Sequence, residues 1–229
     1  MRRWVCLLSL LVATGCSGLD EGEGGVVAIE VETPEFQTLE VGEQVQVVAR
    51  ALDADGQVVD ASITWQTTSE AVTVDAAGIV TAAVPGDAGV QAAVGSLTSD
   101  AITFDVLAPA DTIVIVGDSV FTIPVGVDPP VTAALTIRLE SFNPPGVLEG
   151  RPVIFEITRP APGGTPLVQL AGGAQSDTLS TAADGTVSVA AAAVSGQVPP
   201  DTAIVEVRAE RTRGAAVPGS GQRFILLFQ

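Results

Sequence analysis

Histidine, tyrosine and lysine are absent from this 229-residue chain, and its ten basic residues are all arginine. There are two cysteines, Cys6 and Cys16. These gaps exclude much of enzyme chemistry. Without histidine there is no Ser-His-Asp triad, no Cys-His dyad and no histidine-held zinc, and without lysine there is no Schiff base. A paired-carboxylate hydrolase needs only two acids, and the chain has 27 Asp and Glu. None of them stands in a recognisable catalytic arrangement. A non-catalytic protein with no metal and no soluble cofactor is expected. Aromatics make up only 4% of residues against 47% hydrophobic overall, so valine, alanine, leucine and isoleucine must fill the core. The net charge of −17 leaves no basic face for nucleic acid.

What is present begins with the amino terminus. Met1-Arg2-Arg3 is positive, Trp4 to Thr14 is apolar, and small residues lead to Cys16. Eleven apolar residues cannot span a hydrocarbon core that takes about 20 in a helix, so the segment reads as an export signal. Ala13-Thr14-Gly15-Cys16 resembles the lipobox of bacterial lipoproteins. That resemblance implies cleavage after residue 15, a covalent lipid on Cys16, and a membrane partner reached through that lipid. Loss of residues 1–15 removes Arg2 and Arg3, so the mature charge becomes 8 − 27 = −19. With Cys16 lipidated no thiol remains, and the exported part must be stable without disulfides. Ser17 to Gly25 is small, acidic and glycine-rich, as a flexible tether is. Ser17 stands where an inner-membrane retention aspartate would be. The expected location is therefore the cell envelope, at the outer membrane of a Gram-negative bacterium, with display at the cell surface as the further expectation.

From Val26 the apolar residues alternate, with turn residues between runs, which predicts strands. Seven short strands in residues 26–107 suggest a sandwich. "DADGQ" at 53–57 and "DAAGI" at 75–79 read as hairpin turns. Asp53, Asp55 and nearby Asp60 lack the spacing and closing glutamate of a calcium loop, so they read as turn acids. Leu39/Val41/Gly42/Glu43, Asp53/Gly56, Thr64/Trp65 and Val74/Asp75/Gly78/Val80/Thr81/Ala82 occur in the order of the bacterial Ig-like group 2 domain, which 26–107 resembles. The resemblance implies an immunoglobulin-like β-sandwich with Trp65 central to its core.

"LAPAD" at 107–111 interrupts the rhythm and marks a boundary. Residues 108–229 then repeat it, with Leu135/Ile137/Leu139, Val153/Phe155/Ile157 and Phe224/Leu226/Phe228 each on one face of a strand. "AADGTVSV" at 182–189 echoes "DAAGIVTA" at 75–82, the trace of a diverged repeat. Gly150-x-Pro152-Val153-x-Phe155, Thr181-x-x-Asp184-Gly185-x-Val187 and Ala203-Ile204-Val205-x-Val207-x-Ala209 make this half similar to an invasin-type bacterial Ig-like domain. The segment 159–177 is long and irregular for that family. The fold class expected is all-β, two tandem sandwiches after a signal peptide.

One loop stands out. "ERTRGAAVPGSGQR" at 210–223 gathers Arg211, Arg213 and Arg223 on an acidic chain, and arginine holds carboxylates bidentately. It is the candidate binding loop, for a surface glycan or protein. Phe142 before "NPPG" reads as a cap on the core. The resemblances imply display of Ig-like modules for binding or adhesion. A structural spacer with no specific ligand, and an accessory subunit of a secreted complex, are the other readings. Oligomeric state has no signal in the sequence. If Cys16 is the acylated residue, fatty-acid labelling of cells producing the chain should be lost completely in Cys16→Ser and kept in Cys6→Ser.

Overall fold

A computed structural model describes residues 25–229, and Cys16 with its signal and most of the tether lies outside them. The chain is all-β, folded as two tandem immunoglobulin-like sandwiches. Among the described residues the only helical element is a 3₁₀ turn at Ala171–Gly173.

The first sandwich holds residues 26–107. One layer comprises Ala28–Glu32 paired with Val48–Leu52, and Gln44–Gln46 paired with Ile79–Ala82, which also pairs with Val72–Val74. Gln44–Gln46 and Val48–Leu52 are one strand interrupted at Val47, whose N–H bonds Gly78 O instead. The other layer is built on Gly86–Val94, which pairs with Thr64–Thr67 on one side and Ile102–Leu107 on the other. Thr38–Glu40 closes that layer by running parallel to Ile102–Leu107. Leu39, Val80, Val90 and Phe104 are fully buried between the layers. Trp65, expected at the centre, is only half-buried against this cluster, and Phe104 occupies the centre. The two inner faces meet where Phe104 projects from the middle of its strand, while Trp65 lies to one side against the Gly78 turn.

The second sandwich repeats the plan. One layer runs Thr112–Ile115, Ala133–Phe142, Thr186–Ala193 and Val168–Leu170, all antiparallel. The other runs Val120–Ile123, Gln222–Phe228, Thr202–Ala209, Pro152–Arg159 and Ser176–Ser180. Val120–Ile123 is parallel to Gln222–Phe228, as Thr38–Glu40 is to Ile102–Leu107. The alternation places Leu135, Ile137 and Leu139 from one layer against Phe155, Ile157, Phe224 and Leu226 from the other, all buried. The irregular segment has a topological reason. After Pro152–Arg159 the chain pairs with Thr186–Ala193 through Val168–Leu170, then returns to the first layer's opposite number as Ser176–Ser180. Residues 160–180 thus cross the sandwich edge twice.

The echoed turns share one backbone pattern, with Gly78 N–H on Asp75 O and Gly185 N–H on Ala182 O, and each is braced by an aspartate at a different position. Asp75 Oδ1 accepts the N–H groups of Ala77 and Ile79, and Asp184 Oδ1 accepts the N–H and hydroxyl of Thr186. Those bonds to Thr186 hold the Asp184 carboxyl below its ordinary pKa. Each turn is completed by a glycine at positive φ, and a Cβ there would come within 2.5 Å of Val47 O at Gly78 and 2.7 Å of Val147 Cβ at Gly185. No other residue satisfies both the dihedral and the approach.

Strand directions fix the ends. Val26 enters the first sandwich at one end, and Leu107 leaves it at the other, beside Val41 and Glu43. The second sandwich is entered at Asp111, bonded to Glu140, and its loops 124–132 and 194–201 lie at the opposite end of its strands. The two modules are joined end to end. Because Phe104 fills the centre of the first core, Phe104→Ala should cost ~3–5 kcal/mol in denaturant unfolding. Trp65→Ala, removing a half-buried ring, should cost clearly less; equal losses would place Trp65 at the centre after all.

Candidate functional site

The arginine-bearing loop folds as a tight hairpin. Gly214 N–H bonds Arg211 O and Arg211 N–H bonds Ala215 O, at 2.9 and 2.7 Å. It connects Thr202–Ala209 to Gln222–Phe228 at the end of the second sandwich that meets the first. That position decides what its arginines do. Arg211 Nε donates to Ala110 O at 3.0 Å, its Nη2 donates to Asp111 Oδ1 at 3.0 Å, and its Nε lies 3.7 Å from Glu40 Oε2. Thr212 Oγ1 donates to Glu43 Oε2 at 3.2 Å. Arg213 donates to Gln44 O at 2.9 Å and its guanidinium sits 4.9 Å above the Phe36 ring. Arg223 is elsewhere. It pairs with Glu206 at 3.4 Å on the outer face of the sheet, with its side chain 62% exposed. The structure therefore separates Arg223 from the other two, and turns Arg211 and Arg213 inward onto the first module.

Arg211 approaches Glu40, which sequence reading passed over as part of an entry motif and which Arg151 also reaches. The Glu40 side chain is 1% exposed. Arg151 is ion-paired to Glu40 Oε1, and Ala110 N–H donates to Oε2 at 3.3 Å. Arg151 is itself held from behind. Its N–H bonds Thr181 Oγ1 at 2.9 Å, and its carbonyl accepts Thr181 N–H at 3.0 Å. Burial, and then the neighbouring Arg211, pull the Arg151 guanidinium below its ordinary pKa, and a guanidinium stays charged in a protein. Two guanidinium groups and a backbone N–H thus compensate one buried carboxylate, the condition under which such a charge is tolerated. The signal available in sequence was only a glutamate between Leu39 and Val41; its partner lies 111 residues away, beyond any local pattern.

The far end of the second sandwich was also missed. Loops 124–132, 160–167 and 194–201 gather there, the last two tied by Val194 N–H to Leu167 O at 3.0 Å. Two adjoining clefts of about 430 and 420 Å³ lie there, and Val125, Gly126, Gln197 and Pro199 line both. Phe142, expected to cap the core, is 63% exposed, because it ends its strand at the junction with only its N–H engaged, to Asp111 Oδ2. Asp53, the first of the turn acids, uses its carboxylate to accept Asp55 and Gln57 N–H groups. Among the described residues no three acidic groups converge as a metal site.

No family model matches the chain, and no curated protein does. Among solved structures, the adhesin InvE of Yersinia pseudotuberculosis is similar at 17% identity, over 91% of this chain and 61% of that one, with a TM-score of 0.43. Domains 4 and 5 of the S-layer protein SbsC match at 15% identity over 89% of this chain and 98% of theirs, with a TM-score of 0.34. The D0-D1 domain of intimin matches at 15% over 88% and 98%, with a TM-score of 0.32.

Removing one partner of a buried ion pair leaves the other uncompensated, at a cost of about 3–5 kcal/mol. Arg151→Ala should therefore split a single urea-unfolding transition into two, one per module. Restoring neutrality with Glu40→Leu and Arg151→Met together should recover much of that loss. Additive losses in the double variant would show that the two residues act separately.

Proposed function

We propose that this chain is a non-catalytic envelope lipoprotein whose two Ig-like modules, the first of the group 2 type, form a stiff stalk that holds a binding end away from the membrane. The observation that carries this reading is the junction at Glu40. Two sandwiches joined by a four-residue link would ordinarily swivel, as relative motion is the default for modules with a small interface. Here a carboxylate of the first module is buried among arginines of the second, so bending would expose or unpair a charge. Stiffness along the chain is of use when the two ends must be kept apart. The lipid at Cys16 supplies durable attachment if two or three acyl chains are present, each buried CH₂ contributing ~0.8 kcal/mol. The outer membrane, facing outward, is the proposed site.

Binding is favoured over a bare spacer by the far-end clefts, since a spacer has no use for exposed apolar loops at its tip. The two-arginine hairpin is then part of the stalk, with its role being to set the angle between modules. Spin labels at Gln57→Cys and Ser195→Cys, in exposed loops of the first and second modules, test the stalk directly. A single narrow distance distribution is expected in the otherwise unaltered chain and a broad one in Glu40→Ala. A broad distribution without the Glu40 change would sink the stalk reading. Protease treatment of intact cells should cut the modules, and protection would refute outward display.

A further inference from the structure

The far end of the second sandwich differs from the rest of the surface in two ways. Its three loops carry eight of the chain's 15 prolines and only two charges, Asp128 and Asp201, on a chain with 27 acids. They also carry four of the eleven large apolar residues exposed among those described: Val125, Val127, Val131 and, at 85%, Val198. Prolines fix φ and lower the ordering cost of binding, so this is a pre-organised apolar tip rather than a loose one.

Charge decides what such a tip can take. A net −17 repels a second copy of the chain and any anionic lipid or nucleic-acid surface. Arginine cannot offset this, because six of the eight described arginines lie in ion pairs. Arg213 is engaged by Gln44 O and Phe36, which leaves Arg159 at the tip's margin. We infer that the tip docks a polypeptide whose contact face is apolar and whose surrounding charge is basic, with Val125, Val127 and Val198 as the apolar contact. The inference rests on the reading of this end as the outward, binding end of the stalk.

The test uses the full chain in detergent micelles. The probes are short peptides alternating arginine with leucine, their glutamate-for-arginine counterparts, and anionic lipid vesicles. Arginine–leucine peptides should bind with an association rate that falls as salt rises, as steering by charge requires. The pair Val127→Asp and Val198→Asp should weaken that binding by about tenfold or more. It adds negative charge, so a loss there isolates the apolar contact from mere attraction of opposite charges. Val58→Asp, at an exposed valine of the first module, should leave binding unchanged. Equal binding by the tip variant, equal binding of glutamate peptides, a like loss in Val58→Asp, or occupation of the tip by vesicles or by a second copy would each overturn the inference. A narrow label-to-label distance with no peptide binding would sink this inference alone, whereas a broad distance sinks the stalk reading first.

Discussion

A buried carboxylate that cannot be left unpaired is the constraint on which the relation between the two halves depends. Glu40 stands at the end of the strand parallel to Ile102–Leu107, so its place is set by the first module's own sheet. Arg151 stands just ahead of Pro152–Arg159 and is fixed by Thr181, so its place is set by the second module's. Each side is thus placed by hydrogen bonds within its own module. The ion pair therefore does not create local order; it relates two existing orders. That is the use for which buried charge is best suited, since well-packed apolar residues would give equal or greater stability but less angular discrimination.

The cores answer a different constraint, the shortage of aromatics and of thiols. Phe104, Phe155 and Phe224 are the largest fully buried side chains, and around them the layers are closed by valine, alanine, leucine and isoleucine. Small β-branched residues suit the pleated surface, and burial of one such side chain contributes about 1.5–3 kcal/mol. The price is tight backbone approach, visible at Gly78 and Gly185, where a single methyl would strike a carbonyl or a neighbouring Cβ. The same backbone turn, closed by Gly78 N–H on Asp75 O and by Gly185 N–H on Ala182 O, opens a strand in each module, which makes the echo between 75–82 and 182–189 a structural one.

The sandwich was legible because its signal is local. Period-two runs such as Leu135/Ile137/Leu139 state which face is inward, and Asp-x-x-Gly states where the chain turns. Parallel pairing of Thr38–Glu40 and of Val120–Ile123 was not legible, as three or four residues carry no period and the partner strand is at the other end of the module. Trp65 was placed at the centre by the resemblance, whereas depth depends on where a strand crosses the sandwich, and here Trp65 packs at the side of the cluster. The arginines misled for a related reason. Their clustering in sequence was real, but Arg211 and Arg213 face the junction and Arg223 the outer sheet face, a division set by the fold of the hairpin. The far-end loops carried only a compositional signal, many prolines and few charges, and their three segments lie too far apart in sequence for it to read as one place.

That scarcity of charge follows from how positive charge is distributed. In the described chain arginine is deployed on internal pairs: Arg50 with Glu32 and Arg208 with Glu156 across neighbouring strands, Arg138 with Glu140 along one strand, and Arg151 and Arg211 at the junction. With the cations so engaged, the remaining acids give the chain a net negative field that keeps copies of it apart. A field of that kind cannot confer selectivity by itself, because it attracts any cation equally. Selectivity has to come from a place where the field is interrupted by shape and apolar contact, and a stalk concentrates such a place at its end. A buried ion pair at the junction and a tip with only two charges are thus two consequences of the same economy of arginine.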